Sequence, residues 1–411
     1  MIAISTLLAL SLVVSLLLHS PAAADGFVTA QGSKLMLNGN PYRAVGVNVP
    51  HLSQGYLGTW FHWQQLYGTK EKMRQAMVEA IEDAERSKVA FIRFFASPGY
   101  PKDTADLYLK DPAEYWRLMD ELFALCRQHH VKLIPSLGVF GKWNMDYGEL
   151  RTAVLNPQSK THEATYSYVR EFVTRYRDDP TVLLWELDNE CFLTADVDMK
   201  DRPALPKGVY PEGATDIREK YAREDSFSFD MLVRFYKEMT AFIKGLDSNH
   251  LVTSGDSGPR EESLSRRETF PNFEYRNDTV REHLANLLES QPEPLDVFSI
   301  HMYGNFATTR KVCKLPQLDF LRARVRAIHA ARAPVFVGEL GQTDPNLPDD
   351  PEAKWTRAAL DLLDEEGAAL VALWVWHFPW QDKDFNIPHG SAQPLLMQRV
   401  AEWNAKYAGL K

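Results

Sequence analysis

Short apolar runs alternate with longer amphipathic segments along most of the chain. The apolar runs lie at 42–49, 90–96, 132–138, 182–189, 251–256, 297–303, 334–340 and 370–378. Several open with an unbroken apolar stretch, such as VLLW in 182–189, which favours strands buried on both faces of a parallel sheet. The segments between them, such as KMRQAMVEAIEDAERS, repeat their apolar residues with the period of a helix. Eight such alternations predict the α/β class and a single (β/α)8 TIM barrel.

Two connections are longer than the others, namely 191–228 after the fourth predicted strand and 257–290 after the fifth. Because loops at the carboxyl ends of barrel strands build the active site, we expect these insertions to shape a substrate cleft. The pair Asn38-Gly39 between two apolar stretches predicts a small hairpin that closes the bottom of the barrel. The sequence contains no repeat or Pro/Ser-rich linker, so residues 25–411 are predicted to form one domain.

The N-terminal segment, residues 1–24, is strongly apolar and ends in three consecutive alanines. A hydrophobic stretch followed by small residues is typical of a secretory signal peptide, and we expect cleavage after Ala24. An uncleaved membrane anchor is the alternative, because the apolar stretch is near the lower limit for crossing a bilayer. The signal-peptide interpretation predicts a secreted protein, extracellular or periplasmic, with no membrane contact after cleavage.

Charge and cysteine content restrict the expected partners. The formal net charge of −9 argues against a general nucleic-acid binder, which needs cations to neutralise phosphates. Cys126, Cys191 and Cys313 are far apart, so at most one pair could form a disulfide, and the sequence does not identify it. No CxxC or HExxH motif is present, and we expect neither a metal nor a cofactor. We also expect a monomer.

Polar and aromatic residues gather at the predicted carboxyl ends of the strands, which face the active site of a barrel. Each has an ordinary explanation when it is taken alone, such as an ion pair for an arginine or core packing for a tryptophan. Their placement on one face of one barrel favours a common site. The set is Arg93 on the second strand, Asn189 and Glu190 on the fourth, His301 and Tyr303 on the sixth, Glu339 on the seventh, and Trp374 and Trp376 on the eighth.

Two carboxyl groups that face each other across a cleft suit the cleavage of a glycosidic bond. One carboxylate attacks the oxocarbenium-like centre, while the other group donates a proton to the leaving oxygen. Arg93 near Glu339 would keep that carboxyl group ionised, as a nucleophile requires. Glu190, shielded by apolar neighbours, would hold its proton to higher pH. Aromatic faces pack well against sugar rings, so a polysaccharide or an oligosaccharide is the expected partner.

The same residues resemble glycoside hydrolase family 5, whose members are retaining (β/α)8 glycosidases, and the resemblance covers nearly all of residues 25–411. It implies that Glu190, which follows an Asn at the end of strand four, is the acid/base. It also implies that Glu339 in VFVGELG is the nucleophile. The family pattern further implies substrate contacts from Arg93, Asn189, His301, Tyr303 and one strand-eight tryptophan, Trp374 or Trp376.

Within that family the chain is similar to β-mannanases in three places: its opening GFVTAQGSKLMLNGNPYRAVGVN, its WELDNE, and the loop that holds Trp143. The similarity implies a double displacement on β-1,4-mannan or glucomannan, with Trp143 as a substrate contact. Because GELG at strand seven is closer to endoglucanases, a β-1,4-glucanase stays open. So do an exo-acting β-glycosidase and a carbohydrate-binding barrel without activity. Candidate platforms for sugar rings on the loops are Trp60, Trp63, Trp143 and Trp380.

Overall fold

A parallel sheet forms the centre of the protein. The computed structural model describes residues 26–99, 101–140, 143–197, 226–270, 272, 275–304, 311–342 and 353–410. Within these ranges the sheet has eight strands. In chain order they are β1 (Ala44–Asn48), β2 (Phe91–Phe95), β3 (Lys132–Ser136), β4 (Trp185–Glu186), β5 (Val252–Thr253), β6 (Phe298–Gly304), β7 (Val335–Gln342) and β8 (Leu370–Leu373).

The sheet closes on itself. Its strands follow the order β5-β4-β3-β2-β1-β8-β7-β6, and a parallel bridge between Thr253 and Val297 joins the two ends. Each strand therefore lies beside its neighbours in the chain, and all the carboxyl ends open on one side. The predicted (β/α)8 barrel is confirmed. β4 and β5 are shorter than predicted, because the chain leaves the ladder after two residues in each.

A long helix follows each strand in the described part of the chain and packs against the outside of the barrel. The helices are α1 (Lys70–Arg86), α2 (Pro112–Gln128), α3 (Lys160–Tyr176), α4 (Phe229–Leu246), α5 (Val280–Glu289), α6 (Gln317–Ala330), α7 (Lys354–Glu366) and α8 (Pro394–Tyr407). Side-chain caps begin several of them, and at the start of α5 Thr279 and Glu282 form a capping box. The segment KMRQAMVEAIEDAERS, predicted as a helix, corresponds to α1 and extends one residue beyond its end.

A small antiparallel sheet precedes the barrel, made of Val28–Gln31, Lys34–Leu37 and Asn40–Tyr42. Asn38 and Gly39 at its second turn have φ values of 50° and 76°, a conformation that Asn and Gly adopt with little strain. Buried residues of this sheet pack with others at the amino ends of β2 and β7. The predicted hairpin at the bottom of the barrel is thereby confirmed.

The connections at the carboxyl ends of the strands carry additional short elements. Helical turns in these connections are Leu52–Leu57, Trp63–Leu66, Lys102–Lys110, Trp143–Asp146, Arg151–Leu155, Cys191–Thr194, Ser263–Thr269, Pro379–Gln381 and Gly390–Ala392. After β6, two short strands, Lys311–Val312 and Leu315–Pro316, pair antiparallel. These connections surround the open end of the barrel, where the candidate site lies.

Two predictions concern residues outside the described ranges. The segment 1–24 is one of them, so the signal peptide stays a prediction. The other is the insertion after β4, of which residues 198–225 lie outside those ranges. Among the helices of the described part, none is long and apolar enough to cross a membrane.

Candidate active site

One buried guanidinium links four strands at the carboxyl end of the barrel. Its bonds run from Arg93 Nε to Glu186 Oε2 (2.8 Å), from Nη1 to Glu339 Oε1 and Asn48 Oδ1 (both 2.9 Å), and from Nη2 to Asn189 Oδ1 (2.7 Å). Arginine suits this place because its planar fork presents donors in several fixed directions. Burial alone would lower the pKa of Arg93, but the two carboxylates raise it overall, so Arg93 is a permanent cation.

Glu186 and Asn48 are two members of this network that sequence reasoning missed. Glu186 is completely buried, and burial raises its pKa while the attraction of Arg93 opposes the rise. The sequence held a signal for it, because a carboxylate inside an apolar strand is tolerated only when it is paired. Asn48 gave a weaker signal, since a single amide at a strand end is common. Its side chain accepts from Arg93 and donates to Gly338 O.

The turn after β4 presents Glu190 to the cleft. Glu190 has a φ of 53°, in the left-handed region, and its backbone N–H donates to Gly255 O at 3.1 Å. Gly255 itself has a φ of 78°, and a Cβ there would lie 1.8 Å from Asp188 O, so only glycine fits. Burial raises the pKa of Glu190, while Arg93 and Arg260 oppose that rise. Glu190 therefore tends to keep its proton, as an acid catalyst must.

Asp188 has a structural task beside this turn. Its Oδ2 accepts a hydrogen bond from the backbone N–H of Phe140 at 2.6 Å, and its Oδ1 accepts from the N–H of Asn189 at 2.7 Å. The first bond fastens the connection after β3 to the end of β4. The acidic residue in Asp188-Asn189-Glu190 thus supports the loop next to the proposed acid/base.

The second carboxyl group, that of Glu339, is held by two donors. Arg93 Nη1 donates to one of its oxygens at 2.9 Å, and the Tyr303 hydroxyl donates to the other. The pairing of β7 with β6 shifts register just before Glu339, a bulge that re-aims the side chain into the barrel mouth. The preceding residue must be Gly338, because a Cβ there would lie 2.7 Å from His301 Nε2.

His301 stands between the two carboxyl groups. Its Nδ1 lies 2.9 Å from Glu190 Oε1 and 3.5 Å from Glu339 Oε2. Burial lowers the pKa of His301 to about 3, so the imidazole is neutral at physiological pH. The backbone of His301 is fixed as well, because its carbonyl accepts from the buried Arg324 at 2.9 Å. Sequence reasoning missed Arg324, which looks like a surface residue of an amphipathic helix.

The ring nitrogen of His301 and one oxygen each of Glu190 and Glu339 all lie within 4.8 Å of one another. Three such groups could surround a cation, yet Arg93 and Tyr303 already engage Glu339. The expectation of no metal and no cofactor stays a prediction. The polar residues predicted from the strand ends are brought together here: Arg93, Asn189, Glu190, His301, Tyr303 and Glu339.

The tryptophans predicted to contact the substrate differ in how far they are buried. Trp374 lies half-buried at the end of β8, with its ring N–H donating to Gln381 at 2.8 Å. Trp376 is completely buried and donates to Ala80 O of α1, so it packs in the outer layer and does not line the cleft. Trp143 is also buried, with its ring 6.3 Å from that of Tyr108, and presents no open face to a sugar. These positions correct the expectation for Trp376 and Trp143.

The tryptophans proposed as platforms on the loops also differ in solvent exposure. Trp60 is buried between His51 and Phe378, so its ring packs the loops together. Trp380 is 52% exposed and stacks on His62, with ring centroids 3.8 Å apart. The side chain of Trp63 lies outside the described part. Among the candidate platforms with a described side chain, Trp380 alone presents an open face.

A (β/α)8 barrel with one carboxyl group after β4 and an ion-paired one on β7 is typical of enzymes that cleave glycosidic bonds. The chain belongs to one family of such proteins, because residues 50–378 match the model described as Cellulase (glycosyl hydrolase family 5). The resemblance drawn from the strand-end residues is confirmed.

Several relatives carry the names of mannanases. The chain is 30% identical over 149 residues to the probable mannan endo-1,4-beta-mannosidase C of Aspergillus terreus, covering 34% of this chain and 31% of that protein. It is 24% identical over 318 residues to mannan endo-1,4-beta-mannosidase 2 of Oryza sativa subsp. japonica, covering 69% and 59%. The matches therefore span less than two thirds of the length of these relatives.

A solved structure resembles the whole described barrel. The endo-1,4-beta-mannanase from Rhizomucor miehei aligns with a TM-score of 0.61 and 18% identity, covering 92% of this chain and 99% of that one. At this level of identity the likeness supports the fold.

Proposed function

We propose that the protein is a retaining β-glycoside hydrolase that cleaves β-1,4-mannan or glucomannan in the manner of an endo-mannanase. The observation that carries the proposal is the approach of two carboxyl oxygens, one from Glu190 and one from Glu339, to within 4.8 Å. Retaining enzymes hold these groups about 5–5.5 Å apart, whereas inverting enzymes leave roughly 6.5–9.5 Å for a water molecule. The names of the relatives support mannan as the substrate.

In the first step Glu339 attacks the anomeric carbon while Glu190 protonates the leaving oxygen. The donors from Arg93 and Tyr303 fix both oxygens of Glu339, so the nucleophile is positioned before the substrate arrives. His301 contacts Oε1 of Glu190, so Oε2 is the oxygen that would protonate the leaving group. Because His301 is neutral, it adds no positive charge that would remove the proton from Glu190.

In the second step Glu190 takes a proton from water, which attacks the glycosyl-enzyme and releases the sugar with its original configuration. Asn189 has a separate role. Its Oδ1 accepts from Arg93, so its amide NH2 faces the cleft and donates to the sugar 2-hydroxyl. That contact strengthens as oxocarbenium charge develops.

A hydrolysis screen on mannan, glucomannan, cellulose and aryl β-glycosides tests the substrate. We expect oligosaccharides from mannan, with the β anomer appearing first by NMR because two inversions retain the configuration. Initial release of the α anomer would refute the retaining mechanism. Cleavage of cellulose in preference to mannan would favour a β-1,4-glucanase, the second candidate, which the name of the family model supports. Release of single sugars alone would identify an exo-acting enzyme.

We propose further that residues 1–24 direct secretion. The apolar segment and its terminal alanines support this proposal. N-terminal sequencing of the protein from the culture medium of a secreting host should give Asp25 as the first residue. A secreted or membrane-bound product that still begins at Met1 would contradict the proposal.

A further inference from the structure

The connection after β5 is hydrogen-bonded to the turn that carries Glu190. One backbone carbonyl and one carboxylate of this connection accept hydrogen bonds from the turn, and one arginine donates to it. The three bonds are Glu190 N to Gly255 O at 3.1 Å, Phe192 N to Asp256 Oδ1 at 2.8 Å, and Arg260 Nε to Leu193 O at 2.7 Å. The position of the proposed acid/base therefore depends on the β5 connection as well as on β4.

Arg260 differs from the other two partners, because a neutral donor would satisfy the carbonyl of Leu193 equally well. Arg260 is half-buried, and within the described residues it forms no ion pair. It lines a pocket of about 310 Å³ together with His301 and Tyr303, both of which contact the carboxyl groups. Glu261 and Glu262 line the same pocket, and Glu262 pairs with Arg266 at 2.6 Å. The bond to the carbonyl of Leu193 does not by itself require the positive charge of Arg260.

The position of the pocket next to the turn of Glu190 identifies the sugar unit that it would receive. The acid catalyst donates to the leaving oxygen, so the departing sugar must lie beside Glu190. The pocket adjoins the turn after Glu190 through Leu193, and its other lining residues come from the β5 connection, from β6 and the connection after it, and from α5 and α6. Arginine has several N–H donors in a fixed plane, which suits neighbouring hydroxyl groups on one sugar ring.

We propose that Arg260 is a substrate-binding and positioning residue of this site: its Nε holds the turn of Glu190, and its remaining N–H groups bind the departing sugar unit. This inference rests on the proposed function and adds to it a residue for the leaving half of the glycan. Arg260 thereby couples occupation of the leaving-group pocket to the placement of the proton donor.

The charge of Arg260 also acts on Glu190, whose surroundings are mixed. The titratable and charged groups near it are Arg93, Asp256, Arg260, His301, Tyr303 and Glu339. Burial raises the pKa of Glu190, and Arg93 and Arg260 oppose the rise. Removal of the Arg260 charge must therefore raise the pKa of Glu190 further. Because glycosylation needs Glu190 protonated, the alkaline limb of kcat/KM should move to higher pH.

The test compares Arg260→Gln and Arg260→Lys with the natural chain on two substrates. On a mannooligosaccharide, whose leaving group is a sugar, we expect Arg260→Gln to lower kcat/KM by about 10- to 100-fold. On an aryl β-mannoside with a good leaving group, kcat/KM reports a step that needs no proton donor and should change little. Arg260→Lys keeps the positive charge but lacks the planar guanidinium. The alkaline limb of its kcat/KM profile should therefore stay close to that of the natural chain.

Arg276→Gln is the matched control, since Arg276 lies in the same connection, is exposed and pairs with Glu282 at 3.2 Å. This variant should have the same kcat/KM as the natural chain on both substrates. An equal loss on both substrates with an unmoved alkaline limb would overturn the proposal and leave Arg260 a purely structural role. Unchanged kinetics in Arg260→Gln would overturn it too. If the natural chain cleaved neither substrate, the proposed function itself would fail, an outcome that differs from both.

Discussion

Replacement of Arg93 by lysine should keep a positive charge in the site and still remove most of the activity. Arg93 uses three separate nitrogens to reach acceptors on β1, β4 and β7, so the contacts are spread across the barrel mouth. A lysine ammonium is a single nitrogen on a flexible stem, and it can occupy only one of those three donor positions. At least two positions must therefore lose their donor.

The size of the effect follows from the bonds that are lost. Hydrogen bonds to a charged group contribute about 1.5–3 kcal/mol each, so losing two should lower the free energy of unfolding by about 3–6 kcal/mol. Such a loss lies within the roughly 5–15 kcal/mol by which domains are stable, so a folded population should persist at low temperature. If the lost donors include the one to Glu339, a displacement of that carboxylate by roughly 1 Å should cost about 100-fold in turnover.

The assay pairs kcat on an aryl β-mannoside with urea unfolding, and Arg43→Lys provides the matched control. Arg43 lies at the opposite end of the barrel and also uses all three nitrogens, on Ala368 O (2.8 Å), Asp364 Oδ1 (3.0 Å) and Leu363 O (3.1 Å). Both variants should lose stability, but Arg43→Lys should keep its kcat. An Arg93→Lys variant with full turnover, or an Arg43→Lys variant equally impaired, would refute the reasoning.

Three further predictions concern groups that we expect to contact the substrate. Glu339→Ala should abolish turnover on every substrate, and azide should restore it weakly with a glycosyl azide of inverted configuration, seen by NMR. Glu190→Ala should lower kcat/KM by about 10²- to 10⁴-fold on sugar leaving groups but little on activated aryl glycosides, with azide giving retained configuration. The opposite stereochemistry in the two variants would show that Glu190 is the nucleophile and Glu339 the acid/base. Trp380→Ala should raise KM for long oligosaccharides and leave KM for aryl glycosides unchanged. If KM for long oligosaccharides were the same in the variant and the natural chain, Trp380 would not bind substrate.

The fold was predictable because a change of hydrophobic period is a local property. Apolar stretches such as VLLW and helical patterns such as that of α1 recur in strict alternation, and few topologies other than a barrel accommodate eight repeats. The lengths of β4 and β5 were not predictable, since they depend on where the chain leaves the ladder. At β5 this happens close to Gly255, whose left-handed backbone permits contact with Asp188.

The site was predictable only for residues that follow the strand pattern. Arg93, His301 and Glu339 lie within strands, and Asn189 and Glu190 lie in the turn after β4, at the end of the apolar run 182–189, so the pattern located them. Trp376 was misplaced for the converse reason. The expectation that it lies on the same side as Trp374 assumes an extended chain, but β8 ends at Leu373, and side-chain alternation no longer applies beyond that residue.

Arg260 and Arg324 show why other site residues escape a sequence pattern. Arg324 belongs to α6, where an arginine on an amphipathic helix normally faces water, yet it reaches inwards to carbonyl groups of Ser257 and His301. Burial lowers the pKa of Arg324 to about 9, a sign of how thoroughly this cation is withdrawn from solvent. Arg260 lies in an irregular connection with no period at all. Both depend on tertiary contacts that no local pattern encodes.

The two carboxyl groups illustrate how surroundings support different roles for the same residue type. Glu339 receives donors from a cation and a phenol, which hold both of its oxygens in place as the proposed nucleophile. Glu190 contacts a neutral imidazole, and burial raises its pKa, an arrangement that favours the protonated form. His301 lies within reach of both, and its neutrality keeps the two environments distinct. If His301 carried a charge, it would pull Glu190 towards ionisation and remove the difference on which a double displacement depends.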